Sequence, residues 1–415
     1  MGTNEWATSI TQHVRSNPRH PWATFTSPEL PTVAVIVFVL LAGLIAPVLA
    51  AIISILGFAA ISKRPTIIGG TAVGVVAVLL AWINTGKGIQ GDWSWYVLHY
   101  QILENTPLSE YLGARLPIVT PEPTEPIYYA FARVLSVASG ANVELLAVAV
   151  TLVIYGTLGA AIISLVVTVD GRPWTVIGAT VAGMFVGLTF TLSTHLVRQE
   201  IAAALIGLAI VASAKRRWLP AVMILIVASL THNSALIPAA GLVLATLFLG
   251  HGKSLVLRFI IGGVIFYALG RLYLATLGDV NGRDDGSIST AVILLDVAVL
   301  AAFLFLIRKR GLNDNPIAST ILMCIPAFYG FVLGVASQPL PLLRMYFFVE
   351  ILRALMVVFV CAHLMQGRWR LIVGVVIILV PIAYLTLRIQ QSPFDYDNSL
   401  TDILLWMPLA DFFPD

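Results

Sequence analysis

Apolar runs follow one another along most of the chain, separated by short polar turns. Most run for about 17 to 25 residues, the length of an α-helix that crosses a hydrocarbon layer roughly 30 Å thick. The pattern predicts twelve spans. The first lies at 32–61, with a kink expected at Pro47, and the second ends near 84. The others lie at 143–168, 174–193, 198–214, 218–232, 234–250, 255–277, 289–307, 316–336, 343–364 and 371–388. Residues 85–125 form the longest polar loop. Its prolines Pro117, Pro121, Pro123 and Pro126 predict an extended second half, and 127–139 predicts a short helix dipping into the membrane. No tandem repeat is visible. The organisation expected is a polar tail over 1–30, a transmembrane domain over 31–389 with an outer loop at 85–141, and a second tail over 390–415. The fold class is an all-α polytopic membrane protein.

The stretch 193–235 organises the rest. It holds two apolar runs joined by Lys215, Arg216 and Arg217, with Arg198 near the start of one run and His232 at the end of the other. At a rise of about 1.5 Å per residue, Arg198 stands about 26 Å from the basic turn and His232 about 22 Å. The two therefore share a depth just below the opposite membrane face. A charge at that depth is costly unless it faces protein or a water-filled cavity, so the hairpin predicts one wall of a polar site.

Composition agrees with a membrane protein: 59% hydrophobic residues and 11% charged, with a mean hydropathy of +0.93. The net charge of +3 gives nucleic-acid binding no support. Cys324 and Cys361 both lie in apolar runs, which predicts packing rather than a disulfide framework. The polar, aromatic first 30 residues predict no cleavable signal peptide. Lys63, Arg64, Arg172, Lys215, Arg216, Arg217, Lys253, Arg258, Arg308, Lys309, Arg310, Arg368 and Arg370 all fall at turns or span ends on one side, with only Asp170 and Asp314 as acids. That side is assigned to the cytoplasm. Both termini, the loop 85–125 and the segment 278–288 then lie outside.

Six further basic residues lie in or beside apolar stretches, and all are arginines: Arg133, Arg198, Arg271, Arg344, Arg353 and Arg388. The guanidinium fork suits phosphate oxygens, so the bias points to a phosphorylated ligand. The competing account is ion pairing with Glu200, Asp296 or Glu350, or snorkelling to the interface. Glu350 and Arg353, three apart on one predicted helix, fit that account directly.

Gly91, Asp92, Trp93, Ser94, Trp95 and Tyr96 open the outer loop. A carboxylate among aromatic rings suits sugar recognition or, with apolar neighbours, general-base work; the plain alternative is an interfacial aromatic belt with a capping Asp. Glu125 precedes Pro126, Tyr128 and Tyr129 at the start of the dipping helix, where a carboxylate is favourable on helix electrostatics alone. His232 could serve as a base or as a phosphate donor, or pack as a hydrogen-bonded residue. No third group supports a nucleophilic Ser234. Two decoys are set aside: 250–254 lacks the first glycine of a phosphate loop, and 283–286 reads as a solvated loop. No cluster has metal-ligand spacing, so neither a metal nor another cofactor is expected.

With these residues in hand, the chain resembles the EpsG-like family of bacterial polysaccharide polymerases, the Wzy-type group. The pieces are Asp92 to Tyr96, Glu125 with Pro126, Arg198 with Ile201 and Ala202, and His232 with Ser234 and Ala235. Arg344 with Tyr346 and Phe347, and Pro393 to Tyr396, follow in the same order. The resemblance implies a GT-C-like glycosyltransferase architecture in the bacterial inner membrane, with the active site facing the periplasm. It implies transfer of a growing glycan from undecaprenyl diphosphate to the non-reducing end of a new lipid-linked repeat unit. A chain-length regulator is an implied partner. On that basis Arg198, Arg344 and Arg353 bind diphosphate, and Asp92, Glu125 and His232 are the catalytic candidates. Glu125 or Asp92 is favoured as base, and His232 orients the diphosphate. Trp93, Tyr96, Tyr128 and Tyr346 are expected to contact sugar. The competing readings are another lipid-linked glycan transferase, such as an O-antigen ligase, or a transporter.

Overall fold

The computed structural model describes residues 46–113, 125–248, 255–277, 288–312, 315–367, 370–392, 396–397 and 400–405. The N-terminal tail, the loop prolines Pro117, Pro121 and Pro123, both decoy loops, Pro393, Phe394 and Asp395 lie outside them. The described chain is helical, with no strand. In order the helices are α1 (Pro47–Ile61), α2 (Pro65–Thr85), α3 (Asp92–Asn105), α4 (Leu108–Gly113), α5 (Pro126–Ser139) and α6 (Val143–Val169). Next come α7 (Pro173–Gly187), α8 (Phe190–Ser193), α9 (Val197–Ala214), α10 (Trp218–Thr231), α11 (Leu236–Phe248) and α12 (Leu255–Leu277). The last are α13 (Thr290–Arg310), α14 (Pro316–Val335), α15 (Pro339–Leu364), α16 (Arg370–Gln390) and α17 (Leu400–Leu405).

Among the described residues, seven helices are long and apolar enough to cross a membrane: α2, α6, α9, α13, α14, α15 and the segment Ile372–Gln390 of α16. Five shorter apolar helices occupy the remaining apolar runs. The protein is a multi-pass helical membrane protein.

Proline sets many of the helix starts. Pro47, Pro65, Pro126, Pro173, Pro316 and Pro339 all stand in the first turn, where the missing N–H costs nothing and the fixed φ suits the helix. Pro47 therefore begins α1, where the sequence suggested a kink.

The bundle is built around α15, 89% of whose most apolar window is buried, against 22% for α16. α15 packs on α7, α14, α13, α9 and α6. α9 pairs with α10 as the expected hairpin, and α2 packs on α6 and α7. α12 and α14 approach backbone to backbone: a Cβ on Gly334 would stand 2.4 Å from the Tyr267 carbonyl oxygen, and one on Gly330 2.7 Å from that of Gly263. Small residues permit such contact where apolar burial gives helices little reason to associate.

The run 174–193 is not one continuous helix. α7 ends at Gly187, Leu188 and Thr189 are extended, and the single turn of α8 follows. Arg353, on α15, fills the break. Its Nε donates to the Val186 carbonyl at 2.9 Å and its Nη2 to that of Gly187 at 3.1 Å, both freed by the end of α7. Glu350 takes the other edge, accepting the Thr189 N–H at 2.9 Å and the Thr189 hydroxyl at 2.5 Å. A cation thus meets the negative end of one helix, and a carboxylate meets the free N–H beyond it.

The described part of the loop after α2, residues 86–113, is largely helical. α3 packs on α5, and α5 reaches α10. Arg133 of α5 donates to the carbonyls of Leu103 and Glu104, closing the C-terminal end of α3. Tyr396 shares a hydrogen bond with Thr194 at 2.8 Å, which ties the C-terminal segment to the same end of the bundle.

Candidate active site

Glu125 is the residue before α5, but its side chain does not cap that helix. It turns to the start of α9 and the end of α10. One carboxylate oxygen accepts from Arg198 Nη1 and the other meets His232 Nδ1. The hairpin supplies both partners: Arg198 lies in the first turn of α9 and His232 directly follows α10, at the end away from Lys215, Arg216 and Arg217. The shared depth expected from helix rise is therefore realised as contact through a third residue.

Aromatic rings enclose the cluster. The Arg198 guanidinium lies 5.3, 5.9 and 5.7 Å from the ring centres of Tyr96, Tyr128 and Tyr129. It also donates to the Tyr129 hydroxyl at 3.0 Å. These contacts hold the guanidinium by its faces as well as its edge. Burial alone pushes the Glu125 carboxyl up. The His232 hydrogen bond and the Arg198 charge outweigh burial and hold it below the usual carboxylate range. An ionised Glu125 only accepts, so Nδ1 of His232 is the donor. The other ring nitrogen, Nε2, is buried and has no hydrogen-bond partner.

Next to this cluster lies a cavity of about 720 Å³. Asp92, Arg344, Tyr346, Glu350 and Arg388 are on its wall, with His195 from the turn before α9. Asp92 is the first residue of α3, after Gly91 at φ 56°, a conformation that favours glycine. Tyr96, one turn further along α3, touches Arg198, so α3 borders both cluster and cavity. Gln199 anchors the far wall by donating to the Arg344 carbonyl.

Residues 71–399 match the family described as the EpsG family. The chain belongs to the EpsG family. Comparison with curated proteins and with solved structures gives no match. EpsG-family membership places this multi-pass protein among polysaccharide-polymerase-like membrane proteins.

Within this EpsG-family chain the residues singled out from sequence fall into three groups. Glu125, Arg198 and His232 meet directly. Asp92, Arg344 and Tyr346 line the cavity. Arg353 belongs to neither, and its assignment to diphosphate needs correction. It is fully buried, pairs with Asp296 at 2.9 Å and Glu350 at 3.1 Å, and gives its remaining donors to Val186 and Gly187. The ion-pairing account describes it.

The aromatic residues also move. Trp93 is 1% exposed and Lys87 Nζ sits 3.4 Å from its ring centre, so its face is taken. Tyr96 and Tyr128 are buried around Arg198. Helical spacing explains this, because Trp93, Tyr96 and Tyr100 share one face of α3 and that face packs inward. Of the four rings expected to contact sugar, only Tyr346 borders the cavity, with its hydroxyl donating to Asp296. Tyr129, Thr189 and Gln199 were not singled out. Tyr129 directly follows Tyr128, and Thr189 lies in a Thr- and Ser-rich stretch after Gly187 that signals the helix break. Gln199 carried no signal. Among the described residues, no group of three His, Cys, Asp or Glu side chains could hold a metal ion.

Proposed function

We propose that the protein is a Wzy-type polysaccharide polymerase. In this reading it transfers a growing glycan from undecaprenyl diphosphate to the non-reducing end of a new lipid-linked repeat unit. The observation that carries the reading is Glu125 bridging Arg198 and His232 while His232 Nε2 stays unpartnered. A carboxylate that fixes one ring nitrogen leaves the other aimed as a general base.

The acceptor hydroxyl gives its proton to His232 Nε2, and its oxygen bonds to the anomeric carbon of the donor glycan. The bond from that carbon to the diphosphate oxygen breaks, and the polyprenyl diphosphate leaves with the electron pair. Arg344, exposed to the cavity, meets the negative charge that develops there. Arg198 holds Glu125 ionised and in place. Asp92 and Tyr346 are positioned for saccharide hydroxyls. The base is thus His232, with Glu125 orienting it. Twelve crossings of a bacterial inner membrane, a GT-C-like arrangement, a site facing the periplasm and a chain-length regulator as partner complete the proposal.

The test is reconstitution of the purified chain with undecaprenyl-diphosphate-linked repeat units. Wild-type protein yields polymers and free lipid diphosphate; His232→Ala lowers the rate of both by about 10²- to 10⁴-fold. Transfer of a single sugar, or of glycan to a lipid A core, would assign the chain to another transferase class. A transporter is the second reading, and the broken helix at Leu188 favours it; it requires substrate to cross the membrane with no new glycosidic bond.

A further inference from the structure

Resting on that reading, we propose that Arg388 joins Arg344 in a diphosphate-holding site inside the 720 Å³ cavity, apart from the guanidinium of Arg198. Arg344 comes from the first turns of α15 and Arg388 from the last turn of α16, and both line the cavity. Among the described residues neither forms an ion pair. Arg388 Nε is buried with no hydrogen-bond partner. A buried guanidinium N–H without an acceptor is costly, and such a group calls for a ligand that supplies one.

The other two arginines are already engaged. Arg198 is matched by Glu125 and enclosed by three tyrosines, and Arg353 has given its donors to two carboxylates and two carbonyls. Among the described residues, the carboxylates facing the cavity are Asp92 and Glu350. Both oxygens of Glu350 are held, by Thr189 and Arg353. The charges left open to a ligand are therefore Asp92, Arg344 and Arg388, with a positive excess.

Two forks on separate helices suit a group with two phosphates, since each can take oxygens of one. Leu340, Leu343 and Phe347 give the same cavity an apolar stretch of wall. A charged head beside an apolar wall matches a prenyl diphosphate better than a free anion. The volume lies within the range of about 300–1,000 Å³ usual for small-molecule sites.

The test uses full-length protein in detergent and farnesyl diphosphate as probe, with binding read by isothermal titration and folding by thermal midpoint. Arg388→Gln and Arg344→Gln each weaken binding about tenfold or more without lowering the midpoint. Arg388→Lys falls between wild type and Arg388→Gln. Arg271→Gln, outside the cavity wall, binds as wild type. Inorganic pyrophosphate competes more weakly than farnesyl diphosphate, and phosphatidylglycerol does not compete. A folded Arg388→Gln variant that binds like wild type, while Arg344→Gln does not, overturns the role of Arg388 and leaves the polymerase reading standing. Equal competition by pyrophosphate or by phosphatidylglycerol overturns the prenyl diphosphate as ligand. Wild-type protein that binds no diphosphate overturns the polymerase reading as well.

Discussion

His232 Nδ1 meets Glu125 Oε1, although 107 positions separate the two residues in the chain. The contact joins the loop after α2 to the α9–α10 hairpin and leaves Nε2 as the one ring nitrogen able to take a proton. His232→Ala is expected to lower polymerisation by about 10²- to 10⁴-fold, the usual contribution of a positioned general base. Glu125→Gln keeps an oxygen for Nδ1–H but loses the charge, so it retains more activity than His232→Ala. Initial rates of lipid diphosphate release measure both.

Acid sensitivity follows from Glu125 with a definite sign. Its carboxyl is held below the usual range in the folded protein. The stability it contributes is complete above the unfolded value of about 4.3 and is lost as pH falls through the folded value. Wild type and Glu125→Gln should therefore differ in thermal midpoint at neutral pH and converge under strong acid. A constant difference down to the lowest pH would remove the ionised Glu125 from the account.

Arg353 holds the break between α7 and α8 together. Arg353→Met strands Asp296 and Glu350 and frees two carbonyls, and is expected to cost about 3–5 kcal/mol. Glu200 is the contrast. It is fully buried on α9, and neither carboxyl oxygen has a hydrogen-bond partner. Glu200→Gln keeps its shape and replaces the carboxyl with a group that does not ionise, so the midpoint stays level or rises. Thermal unfolding in detergent separates the two.

The α12–α14 contact depends on glycine. Gly334→Ala places a methyl 2.4 Å from the Tyr267 carbonyl and should cost about 1–3 kcal/mol through forced separation of the helices. At Gly74, on α2, a methyl meets nothing within 4 Å. Gly74→Ala then leaves stability unchanged or adds up to about 1 kcal/mol.

Much of this was legible from periodicity and helix rise. The apolar runs marked the helices, and the distance from a basic turn put Arg198 and His232 at one depth. The partner that joins them was not legible, because Glu125 lies 73 and 107 positions away and no local pattern encodes that packing. The break at Leu188 was masked by an apolar window, although Thr189, Thr191, Ser193 and Thr194 carry hydroxyls through it. Arg353 misled for a related reason: a buried arginine matched to two carboxylates and one open to a ligand look alike in sequence. Trp93 was misjudged because the aromatic cluster was read by composition, when its helical spacing fixed which rings turn inward.

The side of the membrane that carries the site can be fixed by labelling. A cysteine at Trp95, exposed on α3, is expected to react with an impermeant reagent added to intact cells, and one at Arg216 only after lysis. The opposite pattern would invert the orientation drawn from the basic turns.

The most direct test is the surface glycan of a deletion strain carrying wild type or His232→Ala, resolved on a gel. The account predicts a ladder of long polymers with wild type and single capped repeat units with the variant, at equal protein levels. Normal polymer length with His232→Ala, or no surface glycan at all in the deletion strain, would contradict it.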